Sequence, residues 1–308
     1  MKCTSSWVLV VSGLGSLTQA ASLIPRKWHF DGNSCDAGKQ KILKDEFKAA
    51  ALMASVASLI PKDDLYYKTF ISDLHQSMGE GFLSNIHNGY SRISEMVQEN
   101  AEGYEVKVTC NDATDGCKKK WFAHMNDGKK TMNFCDRFFD SSKGIVSTQE
   151  RLDNCDKIDL REAQRSRSAI IVHEASHTKY AMLDTDRTKD YAYGFNGCYL
   201  LARGGFNRDC VPYKGDKVLC PDSKDKTKES FCPAELEMKN ADTWSFIAAG
   251  FYFSKACKRT IPLPPLPQLP GKPPKSARRD TGNPILARAS LTPKCRVDND
   301  YLVIDGSE

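Results

Sequence analysis

The chain has 308 residues, 40% of them hydrophobic and 27% charged, which suits one domain with a sizeable core plus accessory segments. Its net charge of +5 arises from 44 basic and 39 acidic residues that are interspersed, as in segment 214–229. This argues against a nucleic-acid partner and for a solvated surface.

The amino terminus reads as an export signal over residues 1–20. Lys2 gives a basic start, Trp7 to Leu17 an apolar stretch, and Thr18-Gln19-Ala20 a small-residue cleavage pattern. That stretch is too short and too glycine-broken to span a bilayer, so a secreted, extracellular protein without a membrane partner is expected. Arg26-Lys27 offers a second trimming point. The twelve cysteines, of which only Cys3 falls in the signal, fit an oxidising compartment. They lack paired C-x-x-C knuckles, so disulfides are expected in place of a structural zinc ribbon. No Asn-x-Ser/Thr sequon occurs.

A domain is expected over residues 21–259. Asp36 to Ile60 reads as an amphipathic helix, and Leu65 to Asn100 as one or two more, broken near Gly79-Glu80-Gly81. Tyr104 to Cys110, Lys120 to His124 and Thr131 to Phe139 read as short strands, rich in β-branched and aromatic residues between Asp/Gly turns. Leu160 to Tyr180 reads as a helix uninterrupted by proline or glycine. Ala234 to Lys255 reads as the last helix. The order of elements is α+β.

The motif helix carries His173-Glu174-Ala175-Ser176-His177. Residues four apart share a helix face, so both imidazoles can reach one metal ion, with Glu174 beside them to take a proton from a water. A catalytic zinc needs a third protein ligand. The histidines are His29, His75, His87, His124, His173 and His177, so none lies downstream. Tyr180 and Leu183 stand where a metzincin has glycine and histidine, which excludes that class. Glu235 and Glu237 are distant candidates, and Asp190 is a nearer one.

HEASH followed by Thr188-Lys189-Asp190-Tyr191-Ala192-Tyr193-Gly194 resembles the deuterolysin, or aspzincin, family of fungal secreted metalloendopeptidases. In that family the third zinc ligand is the aspartate of Gly-Thr-x-Asp-x-x-Tyr-Gly. This chain matches at Thr188, Asp190, Tyr193 and Gly194, and carries Arg187 at the first position. The resemblance spans roughly residues 35–255. It implies one Zn2+ held by His173, His177 and Asp190, Glu174 as general base, and Tyr193 offering its phenol to the developing oxyanion. It also implies a zincin-like fold, mostly helical with a small sheet, acting as a monomer on protein and peptide substrates. The gaps between the first four cysteines after the signal resemble those of the family, which implies Cys35–Cys110 and Cys117–Cys135. Cys198, Cys210, Cys220, Cys232 and Cys257 are expected to staple a cysteine-rich insertion, 198–232, and the final helix.

Asn240-Ala241-Asp242 resembles the stretch lining the pocket for the residue after the cut. Lysine-selective members have an acid at the place of Asp242 and another three residues on, where this chain has Ser245. The resemblance therefore implies a preference for basic residues that falls short of strict lysine selectivity. From the residues alone, Asp242 also suits a helix amino-terminal cap before Thr243. The segment 260–308 is a proline-rich linker and tail, with Pro262-Leu263-Pro264-Pro265-Leu266-Pro267 favouring polyproline II and Tyr301–Ile304 able to add an edge strand if Cys295 ties it down. Two functions are compatible with these features: a secreted zinc endopeptidase, or a secreted zinc-binding, surface-interaction protein of the same fold with little proteolytic activity. Glu174 favours the first, because holding zinc alone does not call for a base.

Overall fold

The computed structural model describes residues 28–98, 104–111, 115–182, 187–203, 211–213, 217–221, 237–266 and 301–302. The expected signal, most of the insertion with Cys210 and Cys232, Glu235, and the tail with Cys295 lie outside them. The described chain is mostly helical, with a small mixed sheet and three disulfides.

Strand β1 (Trp28–Phe30) leads into helix α1 (Ala37–Ala57), which starts where the Asp36 carboxylate accepts the Lys39 amide at 2.9 Å. The stretch expected to hold one or two helices holds three: α2 (Leu65–Phe70), α3 (Asp73–Ser77) and α4 (Glu80–Val97). Asp64 and Ser72 each cap a new start, and Gly79 turns the chain at φ 72°. In α4, Leu83, Ile86, Tyr90, Ile93 and Val97 recur at helical spacing and are buried against α1.

Strands β2 (Val106–Thr109), β3 (Ala123–Asn126) and β4 (Thr131–Phe134) join β1 in the order β1-β2-β4-β3. β1 and β4 both run parallel to β2, and β3 is an antiparallel edge strand paired through Met125 with Met132. Val106, Val108, Met132 and Phe134 turn inward and are buried, as period-two alternation requires. The strand expected to continue to Phe139 ends at Phe134, where α5 (Asp136–Phe139) begins. β1 is too short to show a pattern in the sequence.

After α6 (Thr148–Asp153), the helix expected over Leu160 to Tyr180 is two helices, α7 (Leu160–Gln164) and α8 (Arg167–Ser176). Ser166 causes the break: its hydroxyl accepts the Ala169 amide, and a short parallel bridge joins it to Val146. The chain continues through α9 (Gly194–Arg203), a hairpin of β5 (Val211–Tyr213) and β6 (Lys217–Pro221), and α10 (Ala241–Ala256). β7 (Tyr301–Leu302) pairs antiparallel with β6.

Helix α10 is buried on nearly all sides, between α1, α7 and α8. Its Gly250 is required by contact, because a Cβ there would lie 2.5 Å from Cδ1 of Tyr66. Phe47, Phe134, Phe138, Phe246 and Phe253 complete a continuous core. Among the described residues, no helix is long and apolar enough to cross a membrane.

Among the described residues the disulfides are Cys35–Cys110, Cys117–Cys135 and Cys155–Cys257. The third corrects an expectation. Cys257 does not join the insertion but ties the end of α10 to the loop after α6, closing 102 residues. Cys198, expected in a bridge, is a buried free thiol in α9. The proline-rich stretch also begins inside the domain: Ile261 is fully buried, its carbonyl accepts the Tyr66 hydroxyl at 2.8 Å, and that of Pro262 accepts the Leu160 amide at 3.0 Å. An extended segment can dock this way because its backbone bonds go to neighbouring elements.

Candidate metal centre

Helix α8 is buried along its whole length and lies against edge strand β3. His173 and Glu174 are on it, and His177 is its C-cap, with a near-helical backbone that preserves the four-residue spacing. Beyond residues 183–186 the chain returns to the end of this helix. Thr188 is buried, its hydroxyl bonded to Ser176 at 2.9 Å. Lys189 forms a bridge with Asn240: its amide donates to the Lys239 carbonyl at 2.7 Å and its carbonyl accepts the Ala241 amide at 3.0 Å. The Asn240 side chain accepts the Ala192 amide at 2.9 Å. Asp190 therefore lies between two anchored points.

Three ligand atoms converge. His173 Nε2 and His177 Nε2 are 3.3 Å apart, and Asp190 Oδ1 lies 3.2 Å from the first and 3.5 Å from the second. Ligands about 2.0–2.1 Å from a tetrahedral ion are separated by about 3.4 Å, so this triangle has the size zinc requires. The other ring nitrogens fix the tautomers. His173 Nδ1 is 2.8 Å from Asp242 Oδ1, and His177 Nδ1 is 2.9 Å from the Thr188 carbonyl, both acceptors. With Nδ1 donating, each neutral ring aims an Nε2 lone pair at the other and at a carboxylate oxygen. Three acceptors packed together repel unless a cation lies among them, which is the donor set of a metal site.

Without a cation, protons take that role. Burial pushes the His173 and His177 pKa values down, but the charge and hydrogen bonds of Asp190, joined by Asp242 at His173 and by Glu174 at His177, together outweigh it, and both end above the ordinary imidazole value, His173 well above. For Asp190, burial acts upward, yet the two imidazoles hold it well below the usual carboxylate range. Glu174, with 5% of its surface exposed, is raised by burial, against the opposing pull of both histidines and the Met125 amide of β3. A carboxyl held toward neutrality beside an ion site is suited to exchanging protons.

Tyr193 is half-buried, its ring stacked 6.4 Å from that of His173 at an interplanar angle of 21°. Gly194 has φ 71° and donates its amide to Asp242 Oδ2 at 2.7 Å, so this glycine meets a backbone requirement. Arg187 does not: among the described residues, the positive-φ non-glycine ones are Asp115, Lys120, Lys130 and Lys258. The turn before Asp190 accommodates arginine without strain.

Asp242 is not the helix cap. Asn240 holds the N-cap position of α10, and Asp242 lies inside the first turn. Its two oxygens are engaged by His173 and Gly194, and Gln164 reaches both Asp242 Oδ1, at 3.4 Å, and the Ser245 hydroxyl, at 3.1 Å. Glu237 is also elsewhere: fully buried, it bonds the Ser72 amide at 2.9 Å and His75 Nδ1 at 2.7 Å. Sequence reasoning missed Asn240, Gln164 and Ser176 as supports. Only the proximity of Asn240 to Asp242 in the chain hinted at any of them.

A family model described as lysine-specific metallo-endopeptidase, the aspzincins, matches residues 65–205. Among solved structures, a zinc peptidase from Grifola frondosa is 17% identical, with 70% of this chain and 97% of that one covered and a TM-score of 0.41. No curated protein matches.

Proposed function

We propose that the chain is a secreted zinc metalloendopeptidase of the aspzincin type, whose family model matches residues 65–205, with one Zn2+ held by His173, His177 and Asp190. The observation that carries this reading is the convergence of His173 Nε2, His177 Nε2 and Asp190 Oδ1 within 3.5 Å of one another. Bound zinc supplies Lewis acidity, which acidifies a water and polarises the scissile carbonyl. Glu174 takes the water's proton and returns it to the leaving amine, a cycle suited to a carboxyl whose pKa is raised by burial. Tyr193 directs its phenol to the carbonyl oxygen as negative charge grows there. Strand β3 is paired with β4 on one side only, and its other edge is available to an extended substrate. Residues 1–20 act as the export signal, 21–259 form the peptidase domain with its insertion, onto which the start of the proline-rich stretch docks, and the rest of 260–308 forms the tail of a monomer.

For the side chain after the cut, we read a basic preference weaker than the lysine specificity in the family's description. Asp242 divides its charge between His173 and the Gly194 amide, and the second acid is replaced by Ser245, itself bonded to Gln164. Only part of one carboxylate is left for an ammonium group.

The test is a casein digest by purified zinc-loaded protein, with and without a chelator, beside Glu174→Gln. Chelator-sensitive cleavage by the native chain is expected, together with a variant that retains zinc and loses about a thousandfold in rate or more. A native protein that binds zinc but clears no casein would favour the non-proteolytic, surface-interaction reading.

A further inference from the structure

Resting on the reading of Asp190 as a metal ligand, we propose that the buried pair Glu237–His75 is a positioning element that fixes the Asp190 loop and so sets the affinity for zinc. Glu237 is fully buried at the start of the 3₁₀ turn Glu237–Lys239. Its Oε1 accepts the Ser72 amide at 2.9 Å and His75 Nδ1 at 2.7 Å, and the His75 ring lies 4.4 Å from that of Phe82 at 13°. The turn is thereby pinned to the start of α3 and to α4.

The far end of the same turn holds the ligand loop. The Lys239 carbonyl takes the Lys189 amide, the Ala241 amide returns to the Lys189 carbonyl, and Asn240 takes the Ala192 amide. Asp190 is bracketed by these bonds, so a shift of the turn moves its carboxylate. Between the two ends, the Trp244 indole donates to the Met238 carbonyl at 2.9 Å and limits rotation of the turn.

A carboxylate is an expensive way to fill this space. Burial of the charge is unfavourable unless bonds offset it, and Glu237 Oε2 has no partner among the described residues. An apolar side chain would pack as well. What it would lack is direction: two charge-assisted bonds to one oxygen fix the turn laterally, and a ligand atom that must sit 3.2 and 3.5 Å from two imidazole nitrogens needs such fixing.

The experiment measures the zinc Kd of the full chain by competition with a chromophoric chelator. His75→Phe keeps the stack on Phe82 and removes the donor; it should weaken zinc about tenfold, the size of one lost charge-assisted bond. His75→Asn, whose amide nitrogen can stand where Nδ1 does, should recover affinity to within about threefold of native. Asp190→Ala is the control and should lose about a hundredfold or more. If His75→Phe binds zinc as the native chain does while Asp190→Ala fails to, the positioning role is overturned and the ligand reading stands. If Asp190→Ala also binds normally, both fall. Loss in His75→Phe without recovery in His75→Asn marks a packing effect and overturns the proposal too. Should His75→Phe not fold, Glu237→Gln, which keeps volume and weakens both bonds to neutral ones, carries the test: about threefold weaker zinc supports the role, and an unchanged Kd rejects it.

Discussion

The two halves of the candidate metal centre arrive at one point by different physics. His173 and His177 are set by helix α8, where four-residue spacing and the Ser166 cap supply the geometry locally. Asp190 has no helix beneath it. Its loop is fixed by bonds to residues 239–242, about fifty positions further along the chain, and through them to α3. The helix half should therefore be insensitive to distant changes, while the loop half should fail when supports that never touch the metal are removed.

The largest effect tests the helix half directly. His177→Ala removes a proposed ligand and should abolish stoichiometric zinc and casein cleavage together, read by elemental analysis and digest; retention of one zinc per chain would show that helix α8 does not hold the ion. Asp242→Ala comes next. It leaves all three ligands in place but frees the His173 ring and the Gly194 turn, and should weaken zinc 10- to 100-fold by chelator competition.

Acid should separate the metal-free and loaded forms. In the metal-free site the imidazole pKa values are raised by the neighbouring carboxylates. Such a group adds stability that is present below the ordinary value of 6.5 and is lost as pH rises through the raised value. Zinc needs the same nitrogens unprotonated, so its affinity rises over that range. Calorimetry from about pH 6 to 8 should show the melting gap between loaded and metal-free protein widening with pH. A constant gap would contradict the assigned ligand protonation.

Two support residues, one local and one distant, should respond differently. Ser166→Ala removes the α8 cap and should cost about 1 kcal/mol of stability while leaving zinc affinity unchanged. Asn240→Ala should cost a similar 1–2 kcal/mol through the lost Ala192 bond, and weaken zinc as well. Equal zinc affinities in the two variants would erase the distinction between local and distant support. The smallest effect concerns specificity: Ser245→Glu adds a second acid beside Asp242 and should raise cleavage before lysine severalfold in a peptide library.

The same division explains what could be read in the sequence. Helical spacing exposed His173, Glu174 and His177, and α1 and α4 were legible from their apolar periodicity. The split of the motif helix at Ser166 was not, because a capping serine inside a helix-like run looks like any polar position until its partner is known. Asp190 was legible only through a resemblance in its flanking residues. Its supports were invisible: Asn240, Gln164 and Glu237 act through contacts 48, 78 and 165 residues apart, which no local pattern encodes. Cys155–Cys257 escaped for the same reason, since spacing does not specify pairing.

All of these outcomes depend on two imidazole nitrogens and one carboxylate oxygen sharing a zinc ion. X-ray absorption at the zinc edge of the purified chain, together with metal content, tests it most directly. One zinc per chain is expected, with a shell of nitrogen and oxygen alone at about 2.0–2.1 Å. A sulfur shell at about 2.3 Å, or a chain purified without zinc that takes none up when it is supplied, would contradict it.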